Sequence, residues 1–238
     1  MIDIRPFDGL GHAQHGWLDA RHHFSFANYF DRTRMGWGAI RVWNDDTIAA
    51  QTGFDPHPHK DMEIVTFVRR GAITHEDSLG NKGRTAAGDV QVMSAGTGIV
   101  HAEYNREDEA TTLFQIWIMP DRSGEKPSWG QRDFPRGTRA GHWVTLASGG
   151  AANDETGDEE EALPIRADAR VLAATLPAGA RIRHEFDPAR HQYLVAPTGR
   201  IRVNGQEAQA RDGIAITGET AIEVEAIDDA ELVLVDAV

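Results

Sequence analysis

The feature that most restricts this chain is a rhythm of short apolar runs, each stopped by a turn former, with no sustained helical period between residues 53 and 117. Residues 62–68, Met-Glu-Ile-Val-Thr-Phe-Val, are rich in β-branched and aromatic side chains, which suit a pleated surface. Arg70-Gly71 turns this run into residues 72–77, and Leu79-Gly80-Asn81-Lys82-Gly83 supplies the next tight turn. Ala87-Gly88-Asp89 leads into Val90-Gln91-Val92-Met93, and Gly96-Thr97-Gly98 leads into Ile99-Val100-His101. Residues 112–119 form a nearly continuous apolar strand closed by Pro120. Earlier in the chain, residues 37–43 alternate and end at the turn formers Asn44-Asp45-Asp46. Residues 120–139, with Pro127 and Pro135, read as a long loop, and 142–147 as one more strand. The pattern predicts an all-β sandwich or barrel.

The second half repeats the first in outline. Phe186-Asp187-Pro188 echoes Phe54-Asp55-Pro56, Gly199-Arg200-Ile201 echoes Gly71-Ala72-Ile73, and Arg211-Asp212-Gly213-Ile214 echoes Ala87-Gly88-Asp89-Val90 in the same order. Two copies of one β module are expected: residues 1–148, an acidic connection at 149–163, and a shorter copy at 164–238. All six tryptophans precede residue 150, which places the larger core and deeper pocket in the first copy.

Composition removes several classes of function. The 238 residues carry a formal net charge of -13, which repels a phosphate backbone, and no basic stripe offsets it; direct nucleic-acid binding is not expected. Six of those acids crowd into residues 154–161, the composition of a solvated loop. There is no cysteine, so disulfides, thiolate metal sites and cysteine nucleophiles are excluded. No apolar run is long enough for a helical membrane span, the first residues do not resemble a signal peptide, and a cytoplasmic location is expected. No nucleophile elbow, phosphate loop or dinucleotide fingerprint occurs.

The residues that carry chemistry are histidines and acids at strand spacing. His57 and His59 point to one face of a strand, as do His101 and Glu103. Together they offer three imidazoles and a carboxylate, a nitrogen and oxygen set suited to iron, manganese, nickel, copper or zinc. Four protein ligands leave one or two positions for a substrate oxygen or dioxygen. Glu63, four residues after His59, would share the same face on a regular strand, either as an alternative ligand or beside the ligands. His75, His142, His184 and His191 read as structural or surface groups, whereas His12, His15, His22 and His23 fit either exposed or pocket-rim positions. Phe67, Met93, Gln115 and Trp117 flank the ligand strands, in the core or along the pocket.

The run from Gly53 to Glu63, followed by Gly88 to Asn105, resembles the pirin family of the cupin superfamily. The general cupin pattern His-x-His-x-x-x-Glu, then His-x-x-x-Asn, stands here as His57, His59, Glu63, His101 and Asn105. Ser94-Ala95-Gly96-Thr97-Gly98 replaces the general Pro-x-Gly, as in pirins, and His23-Phe24-Ser25-Phe26 and Arg41 to Asp46 are also pirin-like. The resemblance is strong to residue 119 and weak after 164. It implies a bicupin, two jelly-roll-like β-barrel cupin domains of which only the first binds metal. It implies His57, His59, His101 and Glu103 as the ligands, with Glu63 beside them. It implies one divalent transition metal, iron(II) first, with zinc, manganese, nickel, copper or cobalt accepted.

Bacterial pirins resemble quercetin 2,3-dioxygenases, which open the flavonol ring with dioxygen and release carbon monoxide. The implied partners are therefore a small aromatic, flavonoid-like substrate and O2. In that reading Glu103 takes the proton of the flavonol 3-hydroxyl and the enolate binds at the metal site. Two alternatives stand beside it. One is a non-enzymatic regulator that binds a partner protein, as is proposed for eukaryotic pirins. The other is a different cupin reaction, such as isomerisation.

Overall fold

A computed structural model describes residues 1–150 and 162–238, so the acidic run at 154–161 lies outside the described residues. The fold is all-β, and each half is built from a seven-stranded sheet and a four-stranded sheet. In the first half the seven-stranded sheet runs Ser128–Arg132, Val90–Ser94, Glu63–Arg70, Thr111–Ile118, Ile40–Ile48, Leu18–His22 and Gly11–Gln14. Its four-stranded partner runs Thr52–His59, Ile99–Asn105, Ala72–Asp77 and Lys82–Ala86. In the second half, Arg181–Glu185, Ala221–Ala226, Ile201–Val203 and Gln206–Ala208 form the smaller sheet.

The central strands read as almost continuously apolar because both of their faces are covered. On Thr111–Ile118, Phe114, Ile116 and Ile118 face the other half and join a core cluster with Val171, Tyr193 and Val233. Leu113 points the other way, into the first sandwich, with Val68 and Ile73. The largest apolar cluster therefore lies between the two large sheets, shared by both halves, rather than inside the first.

The interiors of the two sandwiches differ in chemistry. The second is filled by one aliphatic cluster that includes Leu172, Leu194, Ile214, Val224 and Leu232. In the first, the apolar residues form two separate groups, one around Leu18, Ile48 and Leu113 and one around Ile64, Met93 and Ile99. Buried polar side chains, among them Thr66, His75, Gln91, His101 and Glu103, belong to neither group. Polar groups are costly to bury without partners, so their concentration in one sandwich marks a site.

Sheet pairing crosses the compositional boundaries. Ile2–Arg5 pairs with Gly213–Thr217, and Val144–Gly149 pairs with Ala169–Leu176, so both strands belong to the second large sheet. Two further features differ from the local sequence signals. Ser128–Arg132, inside the expected loop, pairs antiparallel with Val90–Ser94, its strand signal masked by flanking proline and a central glycine. Asn44-Asp45-Asp46 does not turn the chain: Ile40–Ile48 runs straight through it, and all three side chains are buried. Asn44 faces His22 Nδ1 at 2.8 Å, while Asp45 pairs with Arg69 and Arg211, so tertiary partners replace the local hydrogen bonds that make these residues turn formers.

Candidate metal centre

Two neighbouring strands bring the histidines together. On Thr52–His59 the partly buried His57 and His59 flank the exposed Pro58. On Ile99–Asn105 the buried positions alternate as Ile99, His101, Glu103 and Asn105. Antiparallel pairing sets His101 opposite His57. Gly53 makes the approach possible, since a Cβ there would lie 2.2 Å from the Glu103 carbonyl oxygen and 2.5 Å from Tyr104 Cα. The outcome is that one ring nitrogen from each of His57, His59 and His101 falls within 4.8 Å of the others.

The protonation of these rings suits metal binding. His57 Nδ1 donates to the Asp55 carbonyl at 2.7 Å, which leaves Nε2 with its lone pair. His101 Nε2 is buried and has no hydrogen-bond partner among the described residues, a costly arrangement unless something else binds it. Burial, together with the neighbouring His57, pushes His59 down to about 4 and holds His101 well below the usual histidine range. His59 and His101 are therefore neutral donors at neutral pH, and the donor set of three imidazoles fits a divalent transition metal.

Glu103 sits on the far side of His101. A ladder irregularity after His101 sets it opposite Phe54 on one neighbouring strand and His75 on the other. Its carboxylate forms a second close group with His75 and His101, so the four side chains named from the sequence do not make one mutual cluster and His101 is common to both groups. Gln91 Nε2 donates to its Oε1 at 2.6 Å and Gln115 Nε2 to its Oε2 at 2.5 Å. Burial raises Glu103 to about 7, against the opposing effect of those hydrogen bonds. A carboxyl that titrates near neutrality can both take and return a proton.

A cavity of about 180 Å³ opens beside His57 and His59, with apolar walls from Leu18, Phe26, Phe54 and Trp117. Asn44, Asp46 and Gln115 supply its polar lining, and Gln115 thereby links the cavity to Glu103. Asp46 is 2% exposed and its Oδ1 has no hydrogen-bond partner among the described residues. Burial, with the negative charges of Asp45 and Glu103, holds its carboxyl well above the usual range, which favours the neutral, hydrogen-bonding form beside the cavity.

Other sequence candidates fall elsewhere. Glu63 accepts from Ser94 Oγ at 2.6 Å and from the Arg166 backbone N–H at 3.1 Å, and it joins neither histidine group. The strand ends at His59, Asp61 adopts a positive φ of 46°, and a new strand begins at Glu63, so the two-residue alternation is reset between them. Trp117 packs edge-on against His59 at 4.9 Å, while Phe67 and Met93 are core residues. His22 lines the cavity, and His23 is buried against Tyr193. His75 and Asp46 received no site role from the sequence. The His75-x-Asp77 spacing, identical to that of His57 and His59, was the available signal for the first. Asp46 had none, because its neighbours imitate a turn.

The fold and donor set define a cupin-type protein, a two-sandwich chain with a histidine cluster in the first sandwich. The chain belongs to the pirin family: residues 4–118 match the family described as Pirin, and residues 151–237 match the quercetinase C-terminal cupin domain. A pirin-like protein of Caulobacter vibrioides is 61% identical, with all of both chains covered. The quercetin 2,3-dioxygenase of Escherichia coli is 42% identical over 99% of this chain and 98% of its own. The crystal structure of the Escherichia coli pirin YhhW in complex with nickel(II) superimposes with a TM-score of 0.91 at 42% identity, covering 100% of this chain and 99% of that one.

Proposed function

We propose that this chain is a metal-dependent dioxygenase that opens the heterocyclic ring of a flavonol such as quercetin with O2 and releases carbon monoxide. His57, His59 and His101, with Glu103, would hold one divalent transition metal, which we assign as iron(II). When bound, that ion would supply Lewis acidity toward an ionised substrate hydroxyl and a route for electrons to O2. The observation that carries the reading is the convergence of three imidazoles, two of which, His57 and His59, line a largely apolar cavity. Support also comes from the relatives, one of which is named a quercetin 2,3-dioxygenase.

The protein's own groups divide the work. Phe26, Phe54 and Trp117 give a flat aromatic substrate apolar surface and exclude water. Glu103, pushed up to about 7, takes the proton from the substrate hydroxyl, and Gln115, which lines the cavity and donates to Glu103 Oε2, connects the two. Asp46 and Asn44 orient further substrate hydroxyls. We place the protein in the cytoplasm, in keeping with a chain that has no cysteine.

Aerobic incubation of the iron-loaded protein with quercetin, followed by absorbance and an oxygen electrode, tests this directly. The flavonol band should bleach with stoichiometric oxygen uptake. An unchanged band with iron, nickel, manganese and copper in turn would overturn the reading.

A further inference from the structure

The strand Ala72–Asp77 carries His75 and Asp77 at the same spacing as His57 and His59, yet neither is among the proposed ligands. Both side chains are completely buried. Asp77 Oδ1 accepts from the backbone N–H groups of Leu79 at 2.8 Å and Asn81 at 3.0 Å, and Oδ2 accepts from Asn81 Nδ2 at 2.9 Å. A carboxylate surrounded by donors is an acceptor only. His75 Nε2, 3.0 Å from Asp77 Oδ2, must therefore carry a proton and donate it. In a neutral ring that leaves His75 Nδ1 as an acceptor. The atom facing it, at 3.4 Å, is His101 Nδ1, which must then be the donor. The remaining nitrogen, His101 Nε2, is left with a bare lone pair, and this buried atom has no hydrogen-bond partner among the described residues. Trp129 stacks on His75 at 4.8 Å with an interplanar angle of 8°, which fixes the plane of the middle ring.

We infer that Asp77 and His75 form a line of directed hydrogen bonds that locks His101 in its Nδ1–H tautomer and turns Nε2, unprotonated, toward the metal. The inference rests on the metal-binding reading above and extends it to two positioning residues that bind no metal themselves. The direction of every bond follows from one fact, that Asp77 cannot donate. Reversing that one polarity should reverse the whole line.

Asp77→Asn does so with almost no change of shape. The amide oxygen stays on the Leu79 and Asn81 N–H groups, and the N–H2 in place of Oδ2 donates to His75 Nε2 and to an Asn81 amide turned to present its oxygen; this moves the His75 proton to Nδ1 and forces the His101 proton onto Nε2. Long-range ¹H–¹⁵N correlation spectra of the metal-free full-length protein report each tautomer directly. The unsubstituted protein should show Nδ1–H at His101 and the variant Nε2–H. Calorimetric titration with nickel(II) should show affinity weaker by about 10–100-fold in the variant, the usual effect of losing an outer partner of a ligand. A second pair of variants guards against misfolding. His75→Asn keeps an oxygen able to accept from His101 Nδ1 and should bind nickel(II) more tightly than His75→Leu, with matching thermal melts.

The outcomes separate cleanly. Nε2–H at His101 in an unsubstituted protein that binds nickel(II) would overturn the inference alone. Equal nickel(II) affinity for Asp77→Asn and the unsubstituted protein would do the same. No nickel(II) or iron(II) binding by the unsubstituted protein would overturn the metal reading and the inference with it.

Discussion

Asp45 of the first half and Arg211 of the second meet across the shared core, with Arg211 Nε 2.6 Å from Asp45 Oδ2. The other oxygen of Asp45 pairs with Arg69, and the carboxylate is 0% exposed. Removing one partner from a buried charge network leaves the others uncompensated. Asp45→Ala should cost about 3–5 kcal/mol. Urea denaturation, followed by tryptophan fluorescence, should show a lowered midpoint in a single transition, because the pair joins the halves.

Gly53 governs the distance between the strands that carry His57 and His101. A methyl group there meets backbone atoms of Glu103 and Tyr104, which cannot rotate aside. Gly53→Ala should lower stability by about 1–3 kcal/mol. It should also weaken metal binding, since His57 and His101 are directly paired. Thermal melts with and without nickel(II) measure both effects, and the stabilisation by metal should shrink in the variant.

Glu103→Gln keeps the shape of the side chain and removes its proton-accepting charge. Turnover of quercetin should fall by at least the ~10²-fold typical of losing a general base. Elemental analysis of the same sample establishes whether metal is retained. Full activity in a metal-loaded variant would exclude Glu103 as the base.

Asp46→Ala removes a buried hydrogen-bonding group from the cavity wall without touching the histidines. The loss of one such bond, about 0.5–1.5 kcal/mol, should appear in KM for a hydroxylated flavonol. It should matter less for an analogue with fewer hydroxyls. Steady-state kinetics on both substrates provides the comparison.

His23 predicts a pH dependence with a definite sign. Burial first, then Arg5 and Arg211, hold its ring far below the usual histidine range, so it stays neutral in the fold. Below about 6.5 the unfolded chain binds a proton that the folded chain refuses. The stability of the metal-free protein relative to a His23→Asn variant should therefore be greatest above pH 6.5. It should decline by up to about 1.4 kcal/mol per pH unit as the solution is acidified. Denaturation of both proteins at pH 7.5, 6.5 and 5.5 measures the difference.

Much of the fold was legible because strands and turns are local. The two sandwiches follow from apolar runs between glycines, and their common plan from the echo at Phe186-Asp187-Pro188. His57, His59 and His101 were equally accessible, since the two-residue spacing alone fixes a shared face. The rest depends on contacts distant in sequence. Asn44-Asp45-Asp46 imitates a turn until Arg69, Arg211 and the cavity are in place. His75 gains its neighbour only when Ala72–Asp77 lies beside Ile99–Asn105 in one register. Glu63 seemed aligned with His59, and a single left-handed residue at Asp61 between two strands undoes that alignment.

The pairing of Ile2 with Ile216 bears on how the protein is made. Ile2–Arg5 finds its partner only after the long stretch of chain between the two strands has left the ribosome. Until then Gly213–Thr217 has not been synthesised, and Ile2–Arg5 waits unpaired. Closure between such distant segments is slow compared with local pairing, so this edge should be among the last to settle. The same pairing argues against dividing the chain for expression. A second half produced alone would expose a bare strand edge, along with the apolar face it normally shares with Phe114 and Ile116. Both surfaces favour aggregation, so the two halves are best regarded as one biosynthetic unit.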